Sequence, residues 1–288
     1  MDFTNPPDQS KRWEFYRSVH KWVQSQFTQA AIRPFLVALS APQGAGKTTL
    51  THALCDLAAA EGLRAQSISI DDFYLTRSDQ LELARQHAAN PYWQQRGYPG
   101  THDIALGESV LSALKSGEPV RIPVYDKSAH AGQGDRRTVS EWITVPANVD
   151  LIFLEGWMLG FRSVGGKAGD REHVSAAAVS KAKADLSDSS LRAIDASLAQ
   201  YDRWLRHADA FIWLEPADPR FVLEWRVEAE ERMKANGKAG MSEAEIRNYI
   251  AKFMPAYETY LPGMAAGPPR GITAYAHWKI ERDRLPVA

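Results

Sequence analysis

Pro34-Phe-Leu-Val-Ala-Leu-Ser-Ala41-Pro-Gln-Gly-Ala-Gly46-Lys47-Thr48-Thr49-Leu50 is the stretch from which the rest of the chain can be read. Its first half is an unbroken apolar run, the pattern of a strand buried on both faces. Gly44-Ala-Gly46 ends that run, and Lys47 to Ala60 has a helical pattern. A strand, a small-residue loop and a helix in this order fit the Walker A pattern, with Ala41 in place of its first glycine. Small residues allow backbone N–H groups to turn toward a phosphate chain at a helix N-terminus, where unpaired donors and the helix dipole both favour an anion. Gln43, Gly44, Ala45, Gly46, Lys47, Thr48 and Thr49 are therefore the expected phosphate cradle. Lys47 is placed to reach the β- and γ-phosphates of ATP, and the Thr48 hydroxyl to ligate Mg²⁺.

Outward from this loop, Ala65 to Ile70 reads as a second strand, completing a βαβ unit and hence a parallel sheet. Val149–Leu154, Ala210–Leu214 and Ile272–Ala276 are three more short apolar runs. Five strands alternating with helical segments predict an α/β, doubly wound, mostly parallel five-stranded sheet flanked by helices. Upstream, Trp13, Tyr16, His20, Val23 and Phe27 recur at helical spacing, so Lys11 to Ala30 is expected to be an amphipathic helix bracing the domain. Helices are also expected at Phe221–Met233 and Ser242–Leu261. The organisation read from this is a helical brace at 1–34 and a single domain at 35–288, with a surface excursion at about 163–190 that is poor in large apolar residues.

Composition narrows the function classes. Of 288 residues, 44% are hydrophobic and 24% charged, as in an ordinary globular protein. Lys plus Arg number 34 against 35 Asp plus Glu, so no basic excess points to nucleic acid or to an anionic membrane. One cysteine, Cys55, rules out an intrachain disulfide and a cysteine-rich zinc site and suits a reducing compartment. With no apolar signal region in Met1–Arg12 and no membrane-length apolar run, the expectation is a cytoplasmic protein that binds a small molecule.

In a doubly wound sheet, chemistry is sought beyond the carboxyl ends of the strands. The second strand ends in Asp71-Asp72-Phe73-Tyr74 and the third in Glu155-Gly156-Trp157. A carboxylate beside a bound nucleoside triphosphate can accept a hydroxyl proton or bind the metal. Period-two alternation from Ala65 aims Asp71 into the crevice and Asp72 away from it. Lys127 and Arg136 are candidate cations for a substrate carboxylate.

Six blocks in order then carry a resemblance: Ala-Pro-Gln-Gly-Ala-Gly-Lys-Thr-Thr-Leu at 41–50, Ser-Ile-Asp-Asp-Phe-Tyr-Leu-Thr at 69–76, Gly-Thr-His-Asp at 100–103, Pro-Val-Tyr-Asp-Lys-Ser-Ala at 123–129, Gly-Asp-Arg at 134–136 and Leu-Glu-Gly-Trp-Met-Leu-Gly-Phe at 154–161. Together they resemble the D-glycerate 3-kinase family, in the uridine kinase, phosphoribulokinase and pantothenate kinase branch of P-loop kinases. The resemblance runs from about Phe35 to Leu261. It implies a P-loop NTPase fold with a helical lid at about 218–236, ATP and Mg²⁺ as cofactors, and a small hydroxy acid as substrate. By the same resemblance Asp71 is the catalytic base and Glu155 lies near Mg²⁺ or the acceptor. Tyr74, His102, Asp103, Tyr125 and Lys127 fall on blocks around the acceptor, and Arg226 is the foremost lid arginine, ahead of Arg220 and Arg232. Two alternatives stay open: the same chemistry on a nucleoside, pantothenate or another sugar acid, and an ATP-dependent switch with no small acceptor. Oligomeric state is left open.

Overall fold

The apolar run after Pro34 becomes β1 (Phe35–Ser40), buried at every position, in a computed structural model that describes residues 9–30, 33–165, 188–235 and 242–287. Its side chains divide between the two faces of a sheet. Phe35, Val37 and Leu39 pack into one apolar cluster, and Leu36 and Ala38 into the other. Burying each such Leu or Phe is worth about 1.5–3 kcal/mol. The sheet also contains β2 (Ala65–Ser69), β7 (Leu151–Gly156), β8 (Ala210–Pro216) and β9 (Ala274–Ile280). Their order is β2-β7-β1-β8-β9, and every neighbouring pair is parallel. From β1 the chain crosses to β2 on one side, while β8 and β9 lie on the other. The direction of winding therefore changes at β1, where the glycine loop stands.

One face is covered by α1 (Gln9–Gln29) and α2 (Lys47–Ala60), through Phe15, Val19, Val23, Phe27, Leu50 and Leu54. After α3 (Arg77–Gln86), which buries no residue, the opposite face carries α4 (Ile104–Lys115) and the helices Ser189–Leu198 and Met254–Met264, with Trp204, Phe211 and Tyr257 in the larger cluster. Register places Leu39 beside Glu155 and Ser69 beside Glu155, so the carboxyl ends of β1, β2 and β7 finish level.

Several boundaries differ from the sequence reading, each for a local reason. β2 stops at Ser69, and Ile70–Phe73 form a 3₁₀ turn capped by the Ser69 hydroxyl, which accepts from the Asp71 N–H at 3.3 Å. β7 runs to Gly156, which brings Glu155 inside the strand. The expected single helix at 242–261 is two helices, Glu243–Ala251 and Met254–Met264, because Pro255 opens a second helix at its first turn. On α1 the buried face is Phe15, Val19, His20, Val23 and Phe27, which leaves Trp13 41% exposed. Two short hairpins between α4 and β7 carry no apolar alternation long enough to read. They pair β3 (Val120–Ile122) with β6 (Ile143–Val145), and β4 (Tyr125–Asp126) with β5 (Asp135–Arg136). Of the surface excursion, residues 166–187 lie outside the described residues, as does residue 236 at the end of the expected lid.

Candidate active site

The loop after β1 takes the shape the phosphate reading requires. Gly44 and Gly46 have φ of +80° and +87°, a region costly to residues bearing a Cβ. Gly46 stands at the N-cap of α2 with no side chain to occupy the helix N-terminus. A Cβ on Gly44 would come within 2.6 Å of the Trp225 Cβ, so the helix Phe221–Ala235 rests directly on the loop. The Gln43 N–H donates to the Tyr257 hydroxyl at 3.1 Å. Lys47 folds back so that its ammonium donates to the Pro42 carbonyl at 3.1 Å. Desolvation lowers the Lys47 pKa, opposed by the carboxylates of Glu155 and Asp71.

At the start of α2 the Thr48 hydroxyl donates to Glu155 Oε1 at 2.7 Å. Glu155 itself is only 3% exposed. A hydroxyl and a carboxylate are the hard oxygen donors Mg²⁺ takes, and it characteristically fills its remaining positions with water and phosphate oxygens. Among the described residues no group of three His, Cys, Asp or Glu could hold a metal without such help. The residues present therefore fit an ion that arrives with a nucleotide.

The turn after β2 separates its two adjacent carboxylates. Asp71 Oδ2 accepts from the Lys127 ammonium at 2.5 Å. Burial alone would raise the Asp71 carboxyl, but Lys127, through charge and hydrogen bond, and to a lesser extent His102 and Lys47 bring it below the usual range. Asp72 Oδ1 accepts from the backbone N–H of Tyr125 at 3.2 Å. Burial pushes the Asp72 carboxyl up to about 6, against that hydrogen bond and with the help of the neighbouring Asp71 charge. The two carboxylates thus face different partners, and the 3₁₀ turn rather than strand alternation is what separates them.

Around Asp71 stand Tyr74, His102 and Tyr125. The Tyr74 ring stacks on His102 at 4.3 Å and meets Tyr125 edge-on at 5.2 Å. His102 Nδ1 is 2.7 Å from the Tyr201 hydroxyl, while Nε2 is buried with no hydrogen-bond partner among the described residues. Desolvation pulls the His102 pKa down to about 3, so the ring is neutral. Asp103 and Arg136 are placed differently from the other acceptor candidates. Asp103 caps α4 by accepting from the Leu106 N–H at 3.0 Å. Arg136 donates to the Tyr74 carbonyl at 2.7 Å and faces the Asp103 carboxylate at 3.4 Å. This pair ties the β4–β5 hairpin to the turn after β2 and to α4.

Arg226 lies on the helix that covers the loop. Its guanidinium is paired with the buried Glu230 and sits 5.1 Å from the Tyr249 ring centroid. Arg220 is a solvated partner of Asp218 at 2.8 Å; the side chain of Arg232 lies outside the described residues.

Three residues escaped the sequence reading. Arg96 donates to the carbonyls of Gly132, Gln133 and Lys127 and lies 5.5 Å from the Tyr125 ring centroid. Tyr249 interacts electrostatically with Arg226, Asp71, Arg96 and Lys127. Arg284 Nε donates to the Gly44 carbonyl at 2.8 Å, and its guanidinium pairs with Glu228 at 2.8 Å. Proximity to the Gly-Thr-His-Asp block was the only available signal for Arg96. For Arg284 there was none, since a residue near the C-terminus meets the loop only through the parallel pairing of β9.

Residues 36–163 match the model of the phosphoribulokinase/uridine kinase family. A solved D-glycerate 3-kinase from Cryptococcus neoformans superposes with a TM-score of 0.81 at 31% identity, over 95% of this chain and 97% of that one. The chain belongs to the D-glycerate 3-kinase family. Within that family, the chloroplastic D-glycerate 3-kinase of Arabidopsis thaliana is 35% identical over 92% of this chain, which spans 58% of the plant protein's length. An uncharacterized kinase of Schizosaccharomyces pombe is 37% identical over 80% of this chain and 82% of its own length. The five-stranded P-loop fold read from the sequence is the fold of the family. No helix among the described residues is long and apolar enough to cross a membrane.

Proposed function

We propose that this chain is an ATP-dependent kinase that transfers a phosphoryl group to a hydroxyl of D-glycerate, giving 3-phosphoglycerate and ADP. The observation that carries this reading is the Asp71–Lys127 ion pair, close enough to the phosphate cradle for Lys47 to act on Asp71 electrostatically. A nucleotide switch needs a cradle but not a carboxylate and a cation arranged to receive an acceptor. Mg²⁺, when bound with the nucleotide, would neutralise charge on the β- and γ-phosphate oxygens. Thr48 and Glu155 are the residues that would hold it.

The chain's own groups divide the remaining work. Lys47, freed from the Pro42 carbonyl, supplies a cation to the charge that develops on the transferring group. Asp71 is held ionised at neutral pH and accepts the hydroxyl proton of the acceptor. Lys127 fixes the Asp71 carboxylate and, being 58% exposed, also offers its charge to the acceptor's carboxylate. Arg136, engaged with Asp103 and the Tyr74 carbonyl, and Arg96, engaged with the carbonyls of Gly132, Gln133 and Lys127, serve to hold the hairpin in place. Neutral His102, with Nε2 unpartnered, is available to a hydroxyl of the acceptor. Arg226 would exchange Glu230 for the phosphates when the helix Phe221–Ala235 adjusts over a bound nucleotide. The domain roles read from the sequence, a brace at 1–34 and a lid at about 218–236, belong to the same proposal.

An ADP-release screen with ATP and Mg²⁺ over D-glycerate, sugar acids, nucleosides and pantothenate tests the acceptor. The expected result is acceptor-dependent turnover with D-glycerate foremost. Equal ADP release with no acceptor would instead indicate a switch, and preference for a nucleoside or pantothenate would move the substrate assignment.

A further inference from the structure

His102 is 4% exposed, and its Nε2 is buried with no hydrogen-bond partner among the described residues. A polar atom buried without a partner is costly, so one retained beside a reacting carboxylate points to a ligand group. The ring is not free to turn that atom elsewhere. Tyr74 stacks on it, and the rings of Tyr201 and Trp204 meet it nearly at right angles with centroids 5.5 and 6.0 Å away. Its backbone is fixed as well. The Asp103 N–H donates to the Phe73 carbonyl at 2.7 Å and the Leu75 N–H to the Thr101 carbonyl at 3.0 Å, which clamps the His102 segment onto the turn that bears Asp71.

A neutral imidazole carries one ring proton, and Tyr201 determines where it sits. The Tyr201 oxygen is 2.7 Å from His102 Nδ1 and accepts from the Gly100 N–H at 3.3 Å. Tyr201 is buried, and burial raises its hydroxyl pKa, so the phenol keeps its proton. Were Nδ1 the protonated nitrogen, two N–H groups would meet the phenol oxygen and the phenol proton would have no acceptor among the described residues. With Nδ1 as the acceptor every one of these groups is paired: the Gly100 N–H donates to the Tyr201 oxygen, and the Tyr201 hydroxyl donates to Nδ1. The ring proton then belongs to Nε2, because the bond made by one imidazole nitrogen sets the state of the other.

We infer that Tyr201 is a positioning residue of the acceptor site, holding His102 as the Nε2–H tautomer and so making it a hydrogen-bond donor to the hydroxyl of D-glycerate that does not react, an inference that rests on the D-glycerate reading. Asp71 is near enough to act on the His102 ring electrostatically. The two groups then divide by polarity. Asp71 takes the proton of the reacting hydroxyl, and Nε2–H donates to the oxygen of the other. Tyr201 reaches the site from the turn Ala199–Tyr201, which follows the helix Ser189–Leu198. Its spacing from Leu191, Ile194 and Leu198 is that of a core stripe, and its ring packs with them, but only the hydroxyl engages His102.

The test combines ring ¹⁵N NMR of the histidine-labelled full chain with steady-state kinetics. At neutral pH the parent should show His102, assigned by the loss of its signals in His102→Gln, with the proton on Nε2 and none on Nδ1. Tyr201→Phe, which removes only the hydroxyl, should raise the KM for D-glycerate about tenfold and leave the KM for ATP unchanged. 3-Hydroxypropionate has the reacting hydroxyl and the carboxylate but no second hydroxyl. Its inhibition constant should be the same in the parent and in Tyr201→Phe, whereas general damage to the pocket would raise it together with the D-glycerate KM. A proton on Nδ1 in the parent, an unchanged D-glycerate KM in Tyr201→Phe, or an equal rise for D-glycerate and 3-hydroxypropionate overturns the inference. A parent with the Nε2–H tautomer but no D-glycerate-dependent turnover would keep the role of Tyr201 in fixing His102 and refute the substrate assignment instead.

Discussion

Asp71 and Asp72 are neighbours in sequence with opposite electrostatic fates, and the difference follows from their partners. Asp71 faces an ammonium, which stabilises its charge. Burial raises the Asp72 carboxyl and the charges of Asp71 and Glu155 add to the effect, with the single Tyr125 N–H bond and Lys127 opposing it only in part, so its folded-state pKa of about 6 stands above the ordinary carboxylate value. A raised folded pKa means that the native state binds a proton more tightly than the unfolded chain. The resulting penalty is absent below about pH 4 and fully present above about pH 6. Asp72→Asn removes the charge and keeps an oxygen for the Tyr125 N–H. Its melting temperature relative to the parent should therefore rise between pH 5 and pH 7.5. Scanning calorimetry across that range checks the sign, and a gain that shrinks with rising pH would contradict it. The lone Cys55 offers no rival chemistry: burial, aided by the Asp56 charge, raises its thiol to about 11, far from a reactive thiolate at neutral pH.

Among the elements, the contact between the glycine loop and the helix Phe221–Ala235 links nucleotide binding to the covering helix. Gly44 and Gly62 offer a controlled comparison, because their φ angles are +80° and +79°. A Cβ at Gly62 meets nothing within 4 Å, whereas at Gly44 it collides with Trp225 backbone and Cβ atoms that cannot rotate away. Both alanine variants carry the left-handed backbone cost of about 1–2 kcal/mol. Only Gly44→Ala should also displace the helix, with a larger drop in melting temperature and loss of ATP affinity. Matching melting curves and matching ATP Kd values for the two variants would contradict direct packing of the helix on the loop.

For the whole molecule, the parts legible in the sequence were those whose signal is local. β1, β7 and β8 announce themselves as apolar runs buried on both faces, β2 and β9 as short, partly exposed stretches at crossover spacing, and the loop at 41–50 announces itself by small residues before a helix. Lys47 and Thr48 follow from that loop as the first residues of α2, and Asp71 and Glu155 from the carboxyl ends of the apolar runs that become β2 and β7. What depends on tertiary register was not legible. The β3–β6 and β4–β5 hairpins are two or three residues per strand, too short for a period to show. Arg136 carried the correct charge for an acceptor cation, but only the fold reveals that Asp103 and the Tyr74 carbonyl engage it. Trp13 fitted a helical stripe whose buried face turned out to be rotated away from it. The reach of Arg284 onto Gly44 requires the sheet order itself.

All these parts converge on one claim, that a base at Asp71 serves an acceptor beside the cradle formed by Lys47 and Thr48. The most direct test is a side-by-side measurement of kcat with D-glycerate and of ATP Kd for the parent, Asp71→Asn and Asp72→Asn. A base within hydrogen-bond reach of the reacting hydroxyl contributes about 10²–10⁴-fold. Asp71→Asn should therefore lose about that factor in kcat with ATP affinity nearly kept, and Asp72→Asn should lose much less. Near-parental kcat in Asp71→Asn, or an inactive Asp72→Asn beside it, would contradict the account.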